Sequence, residues 1–395
     1  MCFNKQFAFF FFQCGSVQFN KELKMTKDIN KEAFDDSTKL KLEIFGNCFR
    51  EWFPVFKNNL FIKKVFVYDF FAGSGMDSAG NFGSPLILLN ESKGKNRAYC
   101  QNAKIPISFI FNESKKRKAD KLKATTQQFV SACEIENCCG KCEYTVTIRN
   151  QDFKNDFYNP EIQNILRNEN YGKFILLDQY GFKEINKKVF LDLVSLPKTD
   201  FIFFISSSFI KRFKEEPTTK AYIDTGKINF DDSNPNECHR QIGNYFRSLI
   251  PNDKEYYLHH FSIKKGSNYY GLIFGTNHTL GMEKFLKVCW AKDEFSGESN
   301  DNINNDHDPE SLFYKPEKSI KREEVRKLIE DKILTQEIPN NLFGLKYTLR
   351  QGCMPVLFTE VVKKLEKNKK IGRYGYLNFR STNIHKAPEY GLTIL

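Results

Sequence analysis

The stretch Val67-Tyr68-Asp69-Phe70-Phe71-Ala72-Gly73-Ser74-Gly75 constrains this chain more than any other. A β-branched and aromatic run, Val65 to Tyr68, ends at an acidic residue and gives way at once to two glycines. That is the pattern of a strand followed by a tight turn. Glycines at such a turn let the backbone approach a ligand where a Cβ would collide. In open α/β sheets, ligands bind in the crevice beyond the carboxyl ends of the strands.

The surrounding sequence repeats the strand-then-helix theme. Ile107–Phe111, Tyr144–Ile148, Phe174–Leu177 and Phe201–Ile205 read as strands, and Lys115–Val130, Glu161–Arg167 and Lys188–Leu193 as the helices between them. A leading helix over Asp36–Val55 is expected from Leu40, Ile44, Phe45, Cys48, Phe49, Trp52 and Phe53, with Asp36 or Ser37 as its cap. Strands alternating with helices pair in parallel and carry helices on both faces, so the expectation is a Rossmann-like, doubly wound three-layer sheet. Tyr256–Ile263 and Tyr269–Gly275, joined by Gly266-Ser267-Asn268, are expected to complete it as an antiparallel pair.

Four segments follow from this pattern. Residues 1–35 form an N-terminal tail, of which 1–24 read as an extension upstream of a more natural start at Met25. The Phe7–Phe12 run is too short for a signal-peptide core, and no small-residue cleavage site follows it cleanly. Residues 36–292 form the Rossmann-like domain. The Asn-, Asp-, Ser- and Gly-rich stretch 293–315 reads as a polar linker. Residues 316–395 read as a small, mostly helical C-terminal module. Helices are expected at Arg322–Leu334 and Pro355–Lys367, with a short strand around Ile371–Phe379, an order resembling a winged helix.

Composition narrows the function classes. With 60 Lys+Arg against 48 Asp+Glu, the net charge of +12 favours acidic partners. The 40 Phe, together with abundant Lys, Asn and Ile, weaken that signal, because an AT-rich coding sequence yields the same bias. Eleven Cys without regular spacing do not make a secreted disulfide scaffold, so a cytoplasmic location is expected. Cys133, Cys138, Cys139 and Cys142 could supply four thiolates, but adjacent Cys138 and Cys139 aim poorly at one ion and no metal site is expected. His259, His260 and His278 lack ligand spacing and read as structural. Lys211, Arg212 and Lys214 read as a solvated basic helix rather than a phosphate contact. No Walker loop, nucleophile elbow or His-Glu-x-x-His occurs.

The glycine turn resembles the first motif of class I S-adenosylmethionine-dependent methyltransferases. More narrowly, the chain resembles the three-Cys-motif partner (TcmP) family. That resemblance rests on the leading helix around Lys41 and Trp52, Asp69–Gly75 with Gly83-Ser84-Pro85-Leu86, Phe174–Gly181, Tyr269–Thr276 with His278 and Gly281, and Trp290.

The resemblance implies a site. Ala72, Gly73 and Gly75 would face the methionine part of S-adenosyl-L-methionine, and Asp69 would orient its amino group. Glu113 would hold the ribose hydroxyls, and Asp152 and Phe153 would contact the adenine. Leu177-Asp178-Gln179-Tyr180-Gly181 stands where amino-group methyltransferases carry an Asp-Pro-Pro-Tyr or Asn-Pro-Pro-Tyr motif. Asp178 would accept from a target amine and Tyr180 would stack on a base, with Gln179 departing from the pattern. The implied function is methylation of a base amino group in nucleic acid, with a dedicated protein partner. The alternative is a non-catalytic subunit of the same fold that binds nucleic acid or a partner protein.

Overall fold

The structure is a computed structural model that describes residues 32–94, 105–135, 144–231, 233–304, 319–375 and 390–395. A 22-residue helix, α1 (Asp36–Lys57), leads into β1 (Lys64–Asp69). There follow α2 (Ser84–Ser92), β2 (Ile107–Asn112), α3 (Lys116–Ile135), β3 (Thr145–Arg149), α4 (Phe153–Phe157), α5 (Pro160–Leu166) and β4 (Tyr171–Leu177). Then come α6 (Lys187–Ser195), β5 (Thr199–Ile205), α7 (Ser207–Arg212), α8 (Pro217–Lys220), α9 (Cys238–Ser248), the pair β6 (Tyr257–Lys265) and β7 (Asn268–Thr276), and α10 (Thr279–Lys292).

The seven strands form one sheet in the order β3-β2-β1-β4-β5-β7-β6. β1 lies parallel to both β2 and β4, and β7 runs antiparallel between β5 and β6. The chain therefore reverses direction across the sheet at β1 and β4, which leaves a crevice above their carboxyl ends.

Side-chain alternation builds both layers. Val65, Val67, Phe174, Leu176 and Ile202 join one core with α1, α2 and α10. Phe66, Tyr68, Ile175, Leu177, Phe201 and Phe203 join the other with α4, α5, α6 and α9. The central strands are mostly apolar because helices cover both of their faces, with Lys173 and Asp69 as buried exceptions. The cap of α1 is Asp35, one residue before the expected pair, whose carboxylate accepts from Thr38 N at 2.9 Å. The hairpin turn is Gly266-Ser267, with Gly266 at φ +57° and Asn268 already in β7.

Beyond α10 the structure departs from the expected linker. Asp293 accepts from the backbone amides of Phe295, Ser296, Glu298 and Ser299, which folds 293–299 into a tight knot. Glu298 is buried there and meets Arg240 at 2.8 Å and Lys321 at 2.5 Å. Asp, Ser and Gly satisfied one another's polar groups instead of meeting water. Residues 305–318 lie outside the described ones.

The C-terminal part comprises α11 (Ile320–Leu334), α12 (Asn341–Arg350), α13 (Val356–Lys367) and an antiparallel pair, β8 (Ile371–Tyr374) with β9 (Gly391–Ile394). Val325, Ile329, Leu349, Phe358 and Leu365 share the core of α1 and α10, so these helices extend one layer of the sheet domain. Of the expected tail over 1–35, residues 1–31 lie outside the described residues, as do the thiols of Cys133, Cys138, Cys139 and Cys142, whereas Phe34 is buried and Asp35 caps α1, so the fold reaches into the expected tail. No helix among the described residues is long and apolar enough to cross a membrane.

Candidate active site

The turn after β1 is as strained as its glycines imply: Gly73 and Gly75 have φ of +63° and +84°, values that side-chain-bearing residues rarely adopt. Gly75 O accepts from Gly83 N at 2.8 Å, and Ala72 N donates to Asn112 O at 2.9 Å. These bonds fold the turn back under the start of α2. A Cβ at Gly75 would lie 3.1 Å from Leu122 Cδ1, so this glycine serves packing against α3.

Above the turn lies a cavity of about 250 Å³. Its lining brings together Ala72, Gly73, Glu113, Asp152, Phe153, Asp178 and Tyr180 from the ends of β1, β2, β3 and β4. Seven of the nine residues expected at the site thus share one wall. Asp69 and Gly75 stand behind it.

Asp69 is fully buried, and its carboxylate accepts from Ser84 Oγ at 2.6 Å and Phe71 N at 3.0 Å. Burial pushes its pKa up to about 7, with those hydrogen bonds opposing and the charges of Asp178 and Glu113 adding to the rise. Its observed work is to tie β1 to the first turn of α2. Any effect on a ligand therefore passes through Ser84, which does line the cavity. Asp69 is expected to orient the ligand's amino group through water or directly, and the structure places it behind the cavity lining, with Ser84 between.

Glu113, also buried, accepts from Lys115 N at 2.8 Å through Oε1. Its Oε2 has no hydrogen-bond partner among the described residues, leaving a carboxylate oxygen for a hydroxyl donor. Asp152 caps α4 by accepting from Lys154 N at 3.0 Å, and it too lines the cavity. Phe153 is buried and stacks on Phe71 with ring centres 5.0 Å apart, which makes an apolar wall beside the two carboxylates.

The loop after β4 explains why glutamine rather than proline follows Asp178. Gln179 is buried; its Nε2 donates to Phe204 O at 3.1 Å, and its Oε1 accepts from Glu184 N at 3.0 Å and Ile185 N at 3.3 Å. An amide at this position clamps the loop to β5 by polar contacts that proline could not make. Asp178 beside it points into the cavity, where Lys41 Nζ donates to both of its oxygens at 2.7 and 2.6 Å. Tyr180 is 67 % exposed at the rim.

Several lining residues were not among the expected site residues: Phe71, Asn112, Lys115, Lys118 and Glu184, together with Lys41 and Ser84, which the sequence offers only as part of the resemblance. Lys41 carried a legible signal, because it falls on the same stripe of α1 as Phe45, Cys48 and Trp52, all buried. The other sequence candidates lie elsewhere. His278 caps α10 by accepting from Leu280 N, and His259 and His260 are buried in β6. Lys211 donates to Asp231 O and Arg212 to Asn268 Oδ1, both away from the cavity lining. Among the described residues no group of three or more His, Cys, Asp or Glu side chains could hold a metal ion.

No protein-family model matches the sequence, and no curated protein matches it. Solved structures do resemble the fold. The Trm1 chain from Pyrococcus horikoshii in complex with S-adenosyl-L-methionine is 9 % identical at a TM-score of 0.38; the match covers 65 % of this chain and 59 % of that one. A delta-N METTL16 methyltransferase domain is 8 % identical at a TM-score of 0.31, covering 64 % of this chain and 91 % of that one. A human methyltransferase 10 domain-containing protein is 8 % identical at a TM-score of 0.27, covering 60 % and 83 %. This chain thus spans less than two thirds of the Trm1 chain's length.

Proposed function

We propose that the chain is an S-adenosylmethionine-dependent methyltransferase whose acceptor is an amino group of a nucleic-acid base. One observation carries this reading: a single cavity at the strand ends is lined by a left-handed glycine turn, a buried carboxylate with a spare oxygen, an aromatic wall and the Asp178-Gln179-Tyr180 loop. The cofactor would supply a methyl group on a sulfonium. Gly73 and Ala72 suit a backbone cradle for its amino-acid end, since both line the cavity and neither carries a side chain larger than a methyl group. Glu113 Oε2 suits a ribose hydroxyl, because an ionised carboxylate accepts from two directions. Phe71 and Phe153 offer an apolar surface for a flat base, and Asp152 a polar edge next to it.

Direct transfer asks for placement and charge more than for acid–base help. Asp178 would accept an N–H of the incoming amine and favour the positive charge growing on it. Tyr180, exposed at the rim, would stack on the base that carries the amine. The chain's net positive charge of +12 would favour a polyanionic substrate over a small neutral one.

The narrower reading as a three-Cys-motif partner protein, with a dedicated protein partner and a cytoplasmic location, is part of the same proposal. So is a winged-helix role for α11–α13 with the β8–β9 pair, which would contact nucleic acid or that partner. A second reading, the non-catalytic subunit, is favoured by one fact: both oxygens of Asp178 already have a partner in Lys41.

Calorimetric titration with S-adenosylhomocysteine comes first. Binding that Glu113→Gln weakens about ten-fold is expected, and no heat at millimolar ligand would end the proposal. Transfer of labelled methyl to bulk tRNA or DNA, compared with Asp178→Ala, then separates enzyme from subunit. Loss of transfer in the variant supports the enzyme; binding without transfer in the parent protein supports the subunit.

A further inference from the structure

The contact between Lys41 and Asp178 joins parts of the chain 137 residues apart and puts an ammonium where the acceptor would have to sit. Lys41 is buried in the face of α1 that packs on the sheet, and its Nζ lies 4.6 Å from the centre of the Phe204 ring. That ring stacks on Tyr270 with centroids 5.7 Å apart, so the far side of the ammonium is fixed as well. Side-chain exposure is 11 % for Lys41 and 18 % for Asp178, so the pair is screened by little water while still reaching the cavity. Lys115, Lys118, Glu113, Asp152 and Glu184 are the other charged groups on that wall.

Resting on the methyltransferase reading above, we propose that Lys41 is the positioning residue of the acceptor subsite, aiming the Asp178 carboxylate across the cavity and cancelling its charge toward the cofactor. Two donor contacts from one ammonium fix the direction of both carboxylate oxygens. A carboxylate left bare beside a sulfonium would attract it at short range in a poorly screened site. It would thereby favour the charged cofactor in its ground state, which lends nothing to the chemical step. The paired carboxylate has no net charge to offer until an acceptor N–H enters and competes with Lys41 for an oxygen. Charge stabilisation is thus withheld from the cofactor alone and supplied when the acceptor is in place.

The test compares the affinities of S-adenosylmethionine and S-adenosylhomocysteine, which differ in the sulfonium charge, by calorimetry on the full chain. Lys41→Met keeps much of the apolar stem and removes the ammonium. The ratio of the two affinities should shift about ten-fold toward the sulfonium form. Lys41→Arg should restore the parent ratio, and Lys41→Met combined with Asp178→Asn should abolish the shift. Lys39→Met, on the exposed face of α1, is the control. A ratio unchanged in a Lys41→Met protein that melts like the parent would overturn the proposal. A Lys41→Met protein that fails to fold moves the test to Lys41→Arg with Asp178→Asn alone. Asp178→Asn should then lower the ratio, and an unchanged ratio again overturns the proposal. If neither ligand binds the parent chain, the methyltransferase reading fails first and takes this one with it.

Discussion

Two acidic groups in this molecule, buried Glu298 and half-buried Asp178, hold lysines from distant helices, and they do opposite things with them. Glu298 sits in the knot after α10, where Arg240, Lys321 and His260 surround it; His260 Nε2 is 3.7 Å away, too far for a hydrogen bond. Its own backbone carbonyl accepts from Ser262 N in β6 at 2.6 Å. Asp178 has one cationic partner, Lys41, and faces a cavity. The first carboxylate is surrounded by its own protein and pins α11 to the sheet. The second keeps capacity for something not yet bound. How a charge is completed, together with how far it opens to a cavity, separates a structural pair from a functional one.

The largest expected effect breaks the first group. Glu298→Ala leaves Lys321 confined without its counter-charge and Arg240 with Glu237 alone, and loss of one partner of a buried pair costs about 3–5 kcal/mol. Urea denaturation should show it as a lower midpoint. Asp178→Asn, measured the same way, should cost less, about 1–3 kcal/mol, because the asparagine oxygen still accepts from Lys41 and the pair opens onto the cavity. Equal losses in the two variants would erase the distinction.

Acid should dissect the Glu298 region next. Burial drives the His239 pKa down to about 3, with the neighbouring His260 adding to it, and burial likewise lowers His259 and His260. The unfolded chain takes up these protons near pH 6.5 and the folded chain does not. Stability is therefore full above about 6.5 and falls on acidification, by up to about 1.4 kcal/mol per histidine per pH unit. Glu298 has the same sign at lower pH. Burial opposes its charge, but Lys321 and Arg240 hold its pKa well below the carboxylate range, so its contribution is lost below about pH 4.3. A denaturation midpoint flat from pH 7 to 5 would contradict this account.

On the cavity side, Gln179→Leu strands the amides of Glu184 and Ile185 and should cost about 1–3 kcal/mol. Its more telling readout is a rise in amide exchange confined to the loop after β4. The smallest effect belongs to a surface pair, Arg50 with Glu91 at 2.6 Å, where Arg50 is 58 % exposed. Glu91→Gln should move the melting midpoint by less than about 1 kcal/mol equivalent. A larger shift would mean that exposure is a poor guide even here.

Much of this was readable in the chain itself. Val65–Asp69 followed by Gly73 and Gly75 placed the central strand and its turn, and the apolar runs at Ile107, Phe174 and Phe201 placed its neighbours. Glu113, Asp152, Phe153, Asp178 and Tyr180 reached the cavity because each ends or follows a parallel strand. What failed were features set by long-range contacts. The stretch 293–304 carries the same Asp, Ser and Gly whether they meet water or one another, and only Lys321 and Arg240 decide between these outcomes. Asp69 reads as a ligand contact until Ser84, fifteen residues on, occupies its oxygen. Lys41 was visible as a lysine on an apolar stripe, but its partner lies in another strand's loop.

The backbone amide of Phe34 donates to Asp77 Oδ2 at 2.7 Å, and Phe34 and Thr38 belong to the cavity wall. The start of α1 and the loop after the glycine turn therefore share the doorway of the crevice. A dye carried at position 38 stands on that wall and becomes a sensor of what goes in.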